Sequence, residues 1–430
     1  MPQKSSSTSW LQLLPFWLFI FLFKFAAGLH YTLLPVLGSR ILPVWIIGLM
    51  IGGASTIQLL FDVPAGFLLD KYGYIRLLTI GTFAFFAGAV ILIFPFSTVI
   101  YIATIILSIA GWLFFNPGIN AYVLSAAPPR EGGKYMGIQH AFTSLGIVCA
   151  ALLLIFIVHS PIIVIGIVLS AIFIAALIAL SGTRTNPGSL SEIRARQTSH
   201  PHHAYYIRRH WLNKTLQALR NLNPASTILA LENLAGAIFY ALIWFVVPLV
   251  IASQAKAGTL SFGLSVFDLA AVVLGAGLGK LADRYQKKTL IFWGLLIFAV
   301  MGLMLGFNLN LIFLLIGFLA TAGDEMSSVL LWSWLERIDS SHDSDGIVSG
   351  AIVVAEDVGW AIGPIIGGFL FTAVGPSLTI AIGALPIFAV LIFALIFLRG
   401  KEYPAAIPRM VLAMADADNL KKPIKHRHKR

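Results

Sequence analysis

The chain has 430 residues, 58% of them hydrophobic and 11% charged, with a mean hydropathy of +0.90. Soluble domains carry about 25% charged residues, so this composition excludes a soluble globular protein and requires a chain that crosses a bilayer many times. The lone Cys149 lies in an apolar stretch, which excludes an internal disulfide and leaves the redox compartment unmarked.

Apolar stretches of about 20 residues can span as helices, whereas barrel strands would be shorter and alternate in polarity. After a polar segment, residues 1–11, six spans are predicted at 12–37, 42–69, 76–95, 98–125, 136–159 and 161–181. The first is too long for the apolar core of a signal peptide and carries Lys24 and His30, so it reads as a retained span. A polar connection, residues 182–225, comes next. Six more spans follow at 226–251, 258–282, 289–307, 309–335, 347–373 and 376–399, and then a basic tail, 400–430. The expected fold class is an all-α polytopic membrane protein with twelve transmembrane helices.

Within the connection, Ile207, Trp211, Leu212, Leu216 and Leu219 recur at helical spacing against Arg208, Arg209, Lys214 and Arg220. This predicts an amphipathic helix over Ala204–Leu222, lying on the membrane surface. His200, His202 and His203 precede it, but no cysteine or carboxylate completes a ligand set, so no metal is expected. The basic tail is drawn to anionic lipid.

Lysine and arginine set the orientation. With both termini and the long connection in the cytoplasm, only Arg40 and Lys256 fall in external loops and only Lys24 lies inside the bilayer. A multi-pass protein of the plasma membrane is expected. The net charge of +11 is accounted for by this topology and calls for no nucleic-acid partner.

The chain repeats itself. Gly66, Asp70, Lys71, Gly73 and Arg76 lie between spans two and three, and Gly279, Asp283, Arg284 and Lys287 lie between spans eight and nine. Asp70 and Asp283 are 213 positions apart, as are Pro35 and Pro248, and Gly137 and Gly350. Three landmarks at one offset predict two six-helix bundles, 12–181 and 226–399, as parallel repeats.

These residues resemble the major facilitator superfamily, whose signature between helices two and three is G-x-x-x-D-[R/K]-x-G-[R/K]. Tyr74 stands where the last basic residue would be, and Gln286 replaces the second glycine of the later copy. Phe61–Gly66, reading FDVPAG, is similar to a pattern in drug-exporter-like members. Gly350, Gly359, Gly363, Pro364, Gly367 and Gly368 in span eleven follow a helix-packing spacing that the family's antiporters carry in helix five. In this chain's span five, Gly137 and Gly146 keep it, but Ala150 and Ala151 replace the Gly-Pro. The resemblance implies alternating access, with the charged hinges as gates and the glycines permitting close approach where the halves slide.

Seven acidic residues fall inside predicted spans: Asp62, Glu232, Asp268, Asp324, Glu325, Glu356 and Asp357. A charge at the centre of a bilayer costs about 2.5–3.5 kcal/mol even on the lenient insertion scale, so such groups face an interior or a wet cavity. They occupy spans two, seven, eight, ten and eleven, with Lys24 and His30 in span one; spans three, six, nine and twelve carry none. The resemblance implies a central cavity lined by helices one, four, seven and ten, flanked by two, five, eight and eleven, and the charges follow that plan. Asp324-Glu325 is the foremost candidate for carrying a proton, because a desolvated or crowded carboxyl can hold one near neutral pH. Lys24 is its counter-charge, and Asn116-Pro117-Gly118 can open the backbone of span four at cavity depth.

No phosphate-binding loop, HExxH metal motif or GxSxG nucleophile motif is present. The sequence therefore predicts a secondary transporter with no cofactor, not an enzyme or an ATP-driven pump. Its partners are protons, a small-molecule substrate and membrane lipid; the oligomeric state is left open, a monomer being compatible with the sequence. Proton-coupled export of a cationic or amphipathic molecule is the first expectation; the alternative is uptake symport of a small polar solute such as a sugar or an amino acid.

Overall fold

The structure is a computed structural model that describes residues 13–127, 132–183, 224–253, 260, 262–267, 269–270, 273–274, 287–310, 312–338 and 345–398. Six helices make the first half: α1 (Leu14–Ser39), α2 (Val44–Tyr72), α3 (Tyr74–Ile91), α4 (Thr98–Ala126), α5 (Gly132–Ile157) and α6 (Ile162–Ser181). The second half contains α7 (Pro224–Ser253), α8 (Lys287–Phe307), α9 (Ile312–Ile338), α10 (Asp345–Gly383) and α11 (Leu385–Leu398). Short helical pieces between residues 260 and 274 fall in the predicted eighth span. The amphipathic segment, its histidines, Asp268, Gly279, Asp283, Arg284 and the basic tail lie outside the described residues.

Ten helical stretches among the described residues are long and apolar enough to cross a bilayer. The last, Ile352–Phe397, has 46 residues. At 1.5 Å per residue it is about 69 Å long, twice what a hydrocarbon core of about 30 Å needs. It is therefore two spans, and the break is Gly375, whose φ of 78° leaves the helical region just before Pro376. The first hinge is built the same way. Gly73, at φ 92°, is the only residue between α2 and α3, and a side chain there would be strained. Its N–H donates to the Leu69 carbonyl at 2.9 Å, closing α2.

In the first half α1 packs on α5 and α6, while α4 packs on α2 and α3. In the second, α7 packs on α10, and α8 on α9, α10 and α11. The halves meet where α2 lies against α10 and α1 against α7.

The 213-residue offset reappears as matched contacts. A methyl group on Gly146 would fall 2.6 Å from the Phe21 carbonyl oxygen and 3.0 Å from the Phe25 nitrogen. One on Gly359 would fall 2.6 Å from the Leu234 carbonyl oxygen and 3.0 Å from the Ile238 nitrogen, each atom 213 residues further on. One turn along, the pattern inverts. Gly28 of α1 faces Ala150 of α5, whereas Ala241 of α7 faces Gly363 of α10. The glycine that span five lacks has moved to its partner helix, so both helix pairs approach closely.

The glycine motif divides between two contacts. Gly359, Gly363 and Gly367 press on Ala237, Ala241 and Phe245 of α7, within their own half. Among the motif's described residues, Pro364 and Gly368 reach across, against Gly48 and the Val44 and Trp45 backbone of α2. Gly52 meets the Ala361 carbonyl in the same crossing, and Trp45 stacks on Phe369 at 5.8 Å. This crossing lies at the end of the bundle that carries Arg40, opposite the end that carries Gly73. These are called the loop end and the hinge end below.

Candidate functional site: a polar cavity between the halves

A cavity of about 420 Å³ opens between the two halves. The first half lines it with Lys24, Gly28, His30 and Tyr31 of α1, Gln58 of α2, and Ser108, Trp112 and Asn116 of α4. The second half contributes Tyr240 and Trp244 of α7, Phe267 of the short helical pieces that precede α8, then Thr321, Asp324 and Glu325 of α9, and Glu356, Asp357 and Trp360 of α10. The walls differ in character: four carboxyl groups stand on one and the Lys24 amine on the other.

Lys24 sits in the middle of α1, and its Nζ donates to Asn116 Oδ1 at 3.4 Å. The ammonium also lies 4.6 Å from the ring centre of Trp112 and 5.1 Å from that of Phe115. Each such cation–π contact is worth about 0.5–2 kcal/mol, the larger figure where the charge is desolvated. Phe115 is held in turn by stacking on Phe23 at 3.6 Å.

His30 is buried, with Nε2 2.7 Å from Ser108 Oγ. That hydroxyl donates to the Thr104 carbonyl at 2.8 Å. Its single hydrogen thus used, it accepts from Nε2–H, which leaves Nδ1 an acceptor with no partner among the described residues.

Across the cavity, the Tyr240 hydroxyl donates to Asp324 Oδ2 at 2.9 Å. Both residues of Asp324-Glu325 border the cavity, and Asp324 also reaches α7 through Tyr240. A second chamber of about 110 Å³ adjoins, lined by Glu232, Asn233, Gly236, Ala237 and Ser328 and sharing Tyr240, Asp324, Glu356 and Trp360 with the first. Glu232 is buried there, its Oε1 accepting a hydrogen bond from the Ser327 hydroxyl.

The model of the major facilitator superfamily matches residues 10–356. The chain belongs to the major facilitator superfamily. Solved structures of similar shape include a nucleoside transporter, at 12% identity and a TM-score of 0.70 over 91% of this chain and 100% of the other. A D-xylose–proton symporter aligns at 14% identity and 0.66, covering 89% and 96%. A proton-dependent oligopeptide transporter aligns at 14% and 0.65, covering 91% and 99%. At these identities the likeness establishes the fold. No curated protein matches the sequence.

Of the residues singled out from the sequence, Lys24, His30, Asn116, Asp324, Glu325, Glu356 and Asp357 line the main cavity and Glu232 the side chamber. Asp62, Gly66 and Asp70 lie on α2, Gly350 on α10, and Lys287 begins α8. Lys71 places its ammonium 5.0 Å from the Tyr72 ring, and Arg76 is exposed at the start of α3. The sequence reading missed Tyr31, Ser108, Thr321, Ser327 and Trp360. Trp360 follows Glu356 by one helical turn, so helical spacing from a buried charge was the available signal for it.

Proposed function

We propose that this transporter works by alternating access and couples the movement of a small cationic or amphipathic molecule to protons, in the direction of export. The observation that carries this reading is one wall with four carboxyl groups, Asp324, Glu325, Glu356 and Asp357, flanked by Trp244 and Trp360 and faced by Tyr31 and Trp112. Carboxyl groups attract a cation and take up protons in its place; aromatic faces hold its apolar part. A cavity of about 420 Å³ is in the range of small-molecule sites. The hinge end faces the cytoplasm of a plasma membrane, and the α2–α10 crossing closes the outer side. A proton leaving the carboxyl wall as the cation enters is the exchange this charge balance supports.

Lys24 favours a second reading. An amine on one wall and carboxyl groups on the other complement a zwitterion, as in proton-driven uptake of an amino acid.

The test is purified protein in liposomes with an imposed pH gradient, assayed with tetraphenylphosphonium and separately with a mixture of amino acids. Accumulation of the cation driven by the gradient, and lost in the Asp324→Asn, Glu325→Gln double variant, is the expected result. Full accumulation by the double variant would remove these carboxyl groups from the coupling.

A further inference from the structure

We propose that Glu232 and Ser327 form a proton-holding station in the side chamber, so that protons pass between Asp324 and the hinge end without crossing the substrate cavity. This rests on the proton-coupled reading above and assigns it a route.

The chamber lies on the hinge side of Asp324. Glu232 precedes Tyr240 by eight residues on α7, about 12 Å along the axis, and Ser328 follows Asp324 by one turn on α9. Both Asp324 and Glu232 line the chamber, and its volume of about 110 Å³ accommodates several waters. Glu232 Oε2 is buried and has no hydrogen-bond partner among the described residues. Buried polar atoms are nearly always paired, so an orphan oxygen beside a polar chamber points to a group that exchanges a proton with it.

Ser327 equips the site for both protonation states. Its Oγ lies within reach of Glu232 Oε1, of the Gly323 carbonyl at 3.1 Å and of the Asp324 carbonyl at 3.0 Å. When Glu232 is ionised, the hydroxyl donates to it. When Oε1 carries the proton, Glu232 donates to Ser327, whose hydrogen turns to one of the two carbonyls. One rotation leaves no buried donor unpaired in either state.

The repeat shows that the fold itself does not need a carboxyl here. Gly81 faces Gly111 as Gly294 faces Gly323, which aligns α4 with α9 at an offset of 212. By these offsets Glu232 corresponds to Phe19 and Ser327 to Phe115, and in the first half those two rings pack at 6.0 Å. The same helix crossing is filled by apolar rings in one half and by a carboxyl–hydroxyl pair in the other.

In the transfer, the O–H bond of protonated Asp324 breaks and its proton passes to a chamber water. That water gives up a proton to form an O–H bond on Glu232. Negative charge moves from Glu232 to Asp324, and no other bond changes. Among the described residues, the ionisable groups facing Glu232 are Tyr240 on its own helix, Asp324 and Glu325 on α9, and Glu356 on α10, with Lys24 of α1 beyond Glu356 across the main cavity.

The test uses the full chain in lipid and the proton as its own probe. Infrared spectra over a pH titration in H2O and D2O follow the carbonyl band of protonated carboxyl groups. The expected result is that Glu232→Gln removes one titrating, deuterium-sensitive component. Ser327→Ala should shift that component's frequency, and Asp324→Asn should move its midpoint by at least about half a pH unit through lost coupling. Should Glu232→Gln fail to fold, the Ser327→Ala shift carries the same information. A titrating band unchanged in Glu232→Gln, or unmoved in Ser327→Ala, overturns the station. In liposomes with tetraphenylphosphonium, Glu232→Gln should cut pH-driven accumulation at least tenfold. Wild-type protein that ignores the gradient defeats the coupled reading; wild type and Glu232→Gln responding equally defeats the relay alone.

Discussion

Lys24 shows how a charge is kept in the middle of a membrane helix. Two aromatic rings of α4 and the Asn116 amide surround its ammonium, and the cavity gives it solvent. It is the only lysine or arginine among the described cavity-lining residues, so it separates the two substrate readings. Lys24→Gln removes a positive charge from the site. If the substrate is a cation, like-charge repulsion is relieved and KM for tetraphenylphosphonium falls. If it is a zwitterion, KM for the amino acid rises at least about tenfold, the equivalent of 1.4 kcal/mol. Uptake kinetics in liposomes give opposite signs for the two cases. Charged residues were the legible part of this site because their cost in a bilayer leaves few places for them. Ser108 and Ser327 were not legible: a hydroxyl can satisfy itself on its own helix, as Thr56 does on the Gly52 carbonyl at 2.9 Å. Nothing in the sequence separates such a serine from one that supports a buried histidine or glutamate.

At the scale of elements, small residues set how closely helices pack, and they act in pairs across a contact. The sequence displayed the glycines of span five and span eleven, but which helix each faced was not readable from one strand of the pair. Ala150 therefore read as a lost glycine, when Gly28 supplies the room from the other side. Gly48 and Gly52, four residues apart on one face of α2, are equally visible in the sequence. The Gly–Ala inversion is directly testable. In Gly363→Ala the new methyl group would meet Ala241 Cβ at 2.6 Å and the Ile238 carbonyl oxygen at 2.8 Å. Over-packing of this kind costs about 1–3 kcal/mol, so the melting temperature of the purified protein should fall by several degrees. Adding Ala241→Gly recreates the arrangement already present between α1 and α5 and should recover most of that loss. A double variant no more stable than Gly363→Ala would show that the two helix pairs are not equivalent in their packing.

For the whole molecule, the duplication and the cavity are consequences of each other. Two copies of a six-helix unit give two walls, and divergence has placed the amine on one and the carboxyl groups on the other. The 213-residue offset was readable because hinges and helix-bending prolines constrain residue type, whereas the contact that joins the halves was not, since it pairs α2 with α10 across the repeat. That contact is backbone against backbone at Gly48, Gly52, Ala361, Pro364 and Gly368, and it holds the two halves together at the loop end. A transporter that opens alternately to each side has to part this crossing once per cycle. Trp45 and Phe369 mark it from the surface, stacked at 5.8 Å with both side chains exposed. In a Cys149→Ser background, Trp45→Cys and Phe369→Cys can be joined by a short bifunctional thiol reagent with a cleavable disulfide. Joining them should lower the rate of substrate movement through liposomes at least tenfold, and reduction of the linker should restore it. The two single-cysteine proteins, treated with the same reagent, control for modification alone. If the joined protein transports at an undiminished rate, the crossing is a permanent seam and the motion that exposes the cavity to the loop end lies elsewhere in the bundle.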